Sequence, residues 1–299
     1  MVQKRLIKQS SGDRIFLAVV YVSLSLALVL VLYPLLYVVS ASFSSPAAIR
    51  AGKVWLLPKD VTLMGYEAVF RNQQIVTGFV NSIFYTAVGT VVNIIMTMLC
   101  AYPLSRKEFC GRSIFTAIFL ITMYFGGGLV PTYILLSKMH LLNTRLVMIL
   151  PTAMSVWNMI IARTYCAATI PDELFEAAEL DGCNEWKFLY KIVVPLSAPI
   201  IAVLALYYGV GNWNAYFNAM MYLKDVALYP LQVVLRNILI LGEIDPTTIS
   251  DVDALQRKQG LAELLKYAVI VVASVPVLCI YPFVQKYFVK GVMIGALKG

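Results

Sequence analysis

The sequence is poor in the groups that catalysis and metal binding draw on. One histidine, His140, in 299 residues leaves no metal site built on several histidines to assemble. The five cysteines show no CxxC spacing, which excludes a zinc ribbon or a redox pair built on that motif. No GxxxxGK[ST] run is present, so the chain carries no phosphate loop of its own. Charged residues make up only 13% of the chain, against about 25% in soluble globular proteins. The net charge of +8 contains no basic run interleaved with aromatics, so it does not read as a track for a nucleic-acid backbone.

What is abundant is apolar: 60% of residues are hydrophobic, which makes this an integral membrane protein. Hydrocarbon about 30 Å thick needs about 20 apolar residues per helix. Six stretches qualify, at about 15–43, 78–102, 113–137, 144–164, 195–223 and 262–288. Backbone groups in lipid must be satisfied within the span, and the alternating segments of a β-barrel are missing. The expected fold is therefore all-α with six transmembrane helices. Residues 1–299 are expected to form a single transmembrane domain with its core at about 75–288, preceded by an N-terminal tail and first span at 1–43.

Lys4, Arg5, Lys8 and Arg14 before the first span, with Arg106, Lys107 and Arg112 after the second, place the N-terminus inside. Six spans then return the C-terminus to the cytoplasm. Cys100, Cys110, Cys166, Cys183 and Cys279 all fall in spans or on that inner side, away from the compartment where disulfides form. Lys138 and Glu263 sit only at span ends, which argues against an ion-coupled secondary transporter, where ionisable groups within the membrane are needed. A membrane-embedded enzyme would need a clustered acid, base or ligand set, and none is visible.

The densest polar helix-forming stretch lies between the fourth and fifth spans, EAAELDGCNEWKFLYKIVVPLSAP from Glu176 to Pro199. Pro171 suits the first position of a helix, and Asp172 and Glu173 suit the first turn against its dipole. Gly182 suits the left-handed stop, and Asn184 the cap of a second short helix that runs to Pro195, where the fifth span begins. Leu174, Ala177, Ala178 and Leu180 give the first helix a small apolar surface; Trp186, Phe188, Leu189 and Ile192 give the second a larger one. Such a hairpin is either a knob for a groove in another protein or an interfacial hairpin lying among headgroups.

The residue string separates these readings. Glu176-Ala177-Ala178, then Gly182, then Ile192 and Pro195 after Val194, resembles the EAA loop of binding-protein-dependent ABC importer permeases. Val194 and Cys183 replace the more usual leucine and alanine. YFGGGLVPTYILL (124–136), LNTRLVMILPTAMSVWNMIIARTY (142–165), YPLQVVLRNILI (229–240) and YPFVQKYFVKGVMIGALKG (281–299) look like the carbohydrate, MalG-like branch, and within it the YtcP/LplC subgroup associated with oligosaccharides. The resemblance implies the MetI-like permease fold, no covalent chemistry, and half of a translocation path. It implies that the 171–195 loop couples to a separate ATPase through Glu176, Ala177, Ala178, Asp181, Gly182, Trp186, Ile192 and Pro195. The partners implied are a second homologous permease subunit, two copies of an ABC ATPase that bind ATP and Mg, and an extracytoplasmic solute-binding protein. This chain itself is expected to bind no cofactor, and its localisation to be the cell membrane.

The fifth span carries Asn212, Trp213, Asn214, Tyr216 and Asn218. Amides that hydrogen-bond hydroxyls and rings that stack on sugar C–H faces suit a saccharide path, with Asn214 and Asn218 one helical turn apart and Tyr207 on the same face. The same residues also serve as interfacial aromatics and interhelical amide bonds. Asn81, Asn93 and Asn158 in other spans read as interhelical bonds. Gly126-Gly127-Gly128 either unwinds the third span or admits a packed neighbour, and packing is the expectation. Leu231 to Ile240 is expected as a surface helix in the second outer loop. That loop and the first receive the solute-binding protein or cover the bundle. The tail from Lys290 is expected to reach the ATPase interface.

Overall fold

The computed structural model describes residues 10–241, 260, 262–280 and 282. The 281–299 stretch except residue 282, with the tail from Lys290, half of the second outer loop and the basic residues at 4–8 lie outside them. Among the described residues the fold is helical, without strands. The long helices are α1 (Ser11–Ser42), α4 (Gln73–Ser105) and α14 (Ala262–Ile280), and each is long and apolar enough to cross a bilayer. Between α1 and α4 lie the short α2 (Pro46–Arg50) and α3 (Met64–Arg71).

Six uninterrupted spans are not what forms. The third stretch divides into α5 (Arg112–Tyr124) and α6 (Leu129–Lys138), which meet at 113°. The corner is the glycine run. Gly128 adopts φ +87° and ψ 173°, a region closed to residues with a Cβ, and no side chain approaches Gly126. The glycines therefore turn the chain rather than admit a packed neighbour.

The fourth stretch is helical only in α7 (Val156–Thr169), after a 3₁₀ turn at Arg145–Met148. Pro151 disfavours helix at the residue before it, and the 14 residues of α7 rise only about 21 Å.

The fifth stretch starts later than its hydropathy suggests. Helix α8 (Asp172–Leu180) is followed by α9 (Glu185–Phe188), a π turn at Leu189–Val193 and α10 (Val194–Leu196). An 80° bend at Ser197 then leads into α11 (Ala198–Trp213). Pro195 thus belongs to the segment before the bend, and Pro199 stands in the first turn of the span. Past α11 come α12 (Phe217–Tyr222) and α13 (Leu231–Arg236).

Packing divides the chain into two units, residues 1–70 with 242–272 and residues 71–241 with 273–299. In the first, Ala41, Ala48, Ile49, Val54 and Leu264 form a small buried core. Ser45 caps α2 through its side chain, and Arg50 pairs with Glu263 at 3.4 Å. Most of α1 is exposed and apolar on every side, as a helix facing lipid or another protein is.

In the second unit α4 is the axis. Near one end its Asn81 side chain donates to the carbonyls of Ala227 and Tyr229 at 2.7 and 3.1 Å, and the Tyr85 hydroxyl donates to that of Leu228 at 2.9 Å. Ser82 Oγ accepts from the Leu231 amide at 2.8 Å. A Cβ on Gly78 would meet the Leu231 backbone at 3.2 Å, so a larger residue would push α13 away by a few tenths of an ångström. The expected surface helix at 231–240 is instead seated on α4, with Leu231, Val233 and Val234 buried.

Midway, the Asn212 amide donates to Asn93 Oδ1 at 2.9 Å, and Asn93 in turn donates to the Thr152 carbonyl. One turn further on, Thr97 and Tyr208 join hydroxyls at 2.7 Å, and the Tyr208 hydroxyl accepts from the Ser155 amide at 3.1 Å. Asn81 and Asn93 are the connecting amides that the sequence suggests: Asn81 ties the 227–229 segment to α4, and Asn93 ties α11 and the stretch before α7 to it.

Candidate functional site

The hairpin at 171–196 has defined stops. Asp172 and Glu173 occupy the first turn of α8, with Pro171 as its N-cap, one position earlier than expected. At the far end Gly182 takes φ +70°; its amide reaches the Glu179 carbonyl and that of Cys183 reaches Ala178, both at 2.9 Å. This pair of bonds is the glycine-dependent Schellman stop. Asn184 Oδ1 then accepts from the Lys187 amide at 2.8 Å and opens α9. Among the described residues no three His, Cys, Asp or Glu side chains come together to hold a metal.

The hairpin has an anchored face and a bare one. Phe188 and Val193 are completely buried and Ala178 nearly so, in a core with Met98, Tyr102, Met159 and Cys166. Phe175 meets Phe188 edge-on at 5.1 Å, and Tyr102 lies 6.1 Å from Phe188 on another side. Burying one such ring contributes about 1.5–3 kcal/mol, enough to hold a short helix that could not persist alone. On the other face Leu180 is 90% exposed, Trp186 68% and Tyr190 59%. Glu176, Ala177, Asp181, Gly182 and Pro195 are exposed with them, and Ile192 is half-buried. Of the eight loop residues singled out by sequence, only Ala178 turns fully inward. Phe188, read as part of the second helix's apolar surface, is the anchor.

Sequence reasoning missed Arg106. This residue caps the end of α4 and is 9% exposed. Its guanidinium lies 3.1 Å from Asp172 and 3.3 Å from Glu108, and it stacks 4.5 Å from the centre of the Phe175 ring. Lys107 reaches the other Asp172 oxygen at 3.4 Å. The Arg163 side chain of α7 donates to the Leu104 carbonyl at 2.9 Å, just before Arg106. The signal available was Asp172 in a first helical turn, but its partner lies 66 positions away.

The fifth-span residues separate. Helix α11 ends at Trp213, and the Asn214 side chain bonds back to the Val210 carbonyl at 2.9 Å. Such back-bonding competes with continuation of the helix. Asn214 and Asn218 therefore do not lie one turn apart on a single helix. Asn212 is engaged by Asn93. Trp213 is buried, donates to the Ala273 carbonyl at 3.0 Å and meets Phe79 edge-on at 5.8 Å. Asn214 and Tyr216 are exposed at the break and Asn218 is half-buried. Tyr207, Gly211 and Asn214, at i, i+4 and i+7, make an exposed face of α11. A hollow of about 430 Å³ among Thr86, Thr90, Gly209, Trp213 and Pro276 is lined almost wholly by apolar atoms and offers little to a sugar hydroxyl.

Comparison with known proteins agrees with this architecture. The family described as binding-protein-dependent transport system inner membrane component matches residues 6–294. Protein LplC of Bacillus subtilis is 39% identical over 266 residues, 89% of each chain. The polygalacturonan/rhamnogalacturonan transport system permease protein YtcP of the same organism is 37% identical over 96% of this chain and 99% of its own. Among solved structures, a bacterial ABC transporter involved in the import of the acidic polysaccharide alginate superimposes with a TM-score of 0.86 at 34% identity. That match covers 94% of this chain and 99% of the transporter's chain. The protein belongs to the family of binding-protein-dependent transport system inner membrane components, and is a multi-pass permease subunit of an ABC transporter.

Proposed function

We propose that this permease forms one half of the translocation path of an ATP-driven importer for an oligosaccharide, and that the loop from Glu176 to Pro195 docks on the ATPase. A second homologous permease supplies the other half of the path, and two ATPase copies bind ATP and Mg. A solute-binding protein delivers the sugar outside, and both termini of this chain lie in the cytoplasm.

The observation that carries the docking role is the bare face of the hairpin. Leu180, Trp186 and Tyr190 stay exposed although the loop's other face is fixed in the core. A tryptophan held on a rigid, partly apolar knob is the anchor that a protein groove receives. The saccharide reading is supported by the relative whose name carries polygalacturonan and rhamnogalacturonan, and by the alginate importer of matching fold. It is supported too by the exposed Tyr207–Gly211–Asn214 face with Tyr216 beyond it: one Asn214 N–H is taken by the Val210 carbonyl, and the amide oxygen would go unsatisfied against hydrocarbon. Asn214, Tyr216 and Asn218 are the solute contacts in this reading, while Asn212 and Trp213 hold the helix that carries them.

Reconstitution in liposomes with the ATPase, the second permease and the binding protein tests it. Uptake of labelled oligosaccharide is expected only with ATP and the binding protein present. Uptake driven by an ion gradient without the ATPase would instead establish a secondary transporter.

A further inference from the structure

The exposed loop alone does not say where its movement goes. Along the chain the loop leads to α11, but the 80° bend at Ser197 intervenes. The side chains offer a second route. Asp172 and Phe175 of α8 both meet Arg106, and Phe175 meets Phe188, which faces Tyr102 of α4. Both arms of the hairpin are thus fastened to the last turn of one helix.

Helix α4 has 33 residues and so spans about 50 Å. Its other end holds the 227–231 segment through Asn81, Ser82 and Tyr85, and its middle holds Asn212 and Tyr208 of α11. Arg106 is therefore joined through α4 to both the far end of the bundle and the flank of α11 by groups already bonded.

We propose that Arg106 is a positioning residue for energy coupling: with Asp172 it transfers movement of the docking loop to α4, in addition to the covalent route into α11. The geometry suits this role better than a surface ion pair would. Arg106 is nearly buried and engages carboxylates on both sides and an aromatic face, so it cannot slip without losing several contacts at once. The inference rests on the docking role proposed above.

The test uses the complete transporter. Arg106→Met keeps the stem over Phe175 and removes the charge; Asp172→Asn removes the partner at a half-buried position where the fold has less to lose. Both variants and their double are purified with the ATPase and compared for complex yield, retained ATPase, basal hydrolysis, and hydrolysis stimulated by the solute-loaded binding protein. Each single variant is expected to retain the ATPase and basal hydrolysis while losing stimulation and transport by about tenfold. The double is expected to be no worse than the more severe single, as for two groups acting through one contact. Wild-type stimulation in the variants would overturn the inference. So would losses that follow complex yield or ATPase retention, or that multiply in the double. A wild-type chain that never holds an ATPase would instead count against the docking role itself.

Discussion

Gly182 holds the turn of the 171–196 hairpin, proposed above as the docking loop, at φ +70°, with no atom within 4 Å of where a Cβ would stand. Its substitution therefore costs backbone strain alone. Gly182→Ala is expected to cost about 1 kcal/mol and to leave most ATPase retention intact. Proline, whose ring fixes φ near −65°, cannot take the position. Gly182→Pro is expected to lose ATPase retention and transport together, read by co-purification and uptake. Two aromatics two residues apart give a sharper contrast. Trp186→Ala should leave thermal stability unchanged and weaken ATPase binding by about thirtyfold, because the ring touches little of its own chain. Phe188→Ala empties a fully buried site and should destabilise the chain by about 3–5 kcal/mol, visible in the melting of the solubilised protein. Gly182 and the Asn184 cap were legible in the sequence because a turn and a cap are local requirements. Which of Trp186 and Phe188 points inward was not, because that depends on Tyr102 and Phe175, far away or in another helix.

At the scale of elements, hydropathy located the apolar stretches and said nothing about their bends. A mean over a window is the same for a straight helix and for one broken at Ser197 or at Gly126–Gly128. The glycine run was noticed, yet its role follows only from the backbone angle at Gly128 and the empty space around Gly126. Gly128→Ala is expected to cost about 1–3 kcal/mol through strain. Gly126→Ala, at an ordinary φ with no neighbour, is expected to be neutral; parallel thermal melts of the two variants check the pair. Asn81 and Asn93 were recognisable as connecting amides because an amide in a span must find a partner. Their partners, the carbonyls of the 227–229 segment and the Asn212–Thr152 relay, required the structure. The seating of α13 on Gly78 was hidden for the same reason: Leu231 to Ile240 is as apolar as a surface helix against lipid would be.

At the scale of the whole molecule, the permease identity was legible in the Glu176–Pro195 string and in the stretches at 124–136, 142–165 and 229–240, all of which are patterns along the chain. The face proposed for the sugar was less so, since the break after Trp213 rearranges the faces on which Asn214 and Asn218 stand. Asn214→Leu is expected to reduce transport several-fold through a raised KM for the solute-loaded binding protein. ATPase retention should stay unchanged, as Asn214 lies a full helix away from the docking loop. In the proposed function this chain is a half-path driven through its exposed loop. Purifying the tagged protein from native membranes in a mild detergent, and identifying what accompanies it, tests this most directly. An ABC ATPase together with a second, related permease is expected, with loss of the ATPase alone when Trp186 and Leu180 are changed to aspartate. A chain that comes out alone or as a homodimer across several detergents, still competent for uptake without ATP, would contradict it.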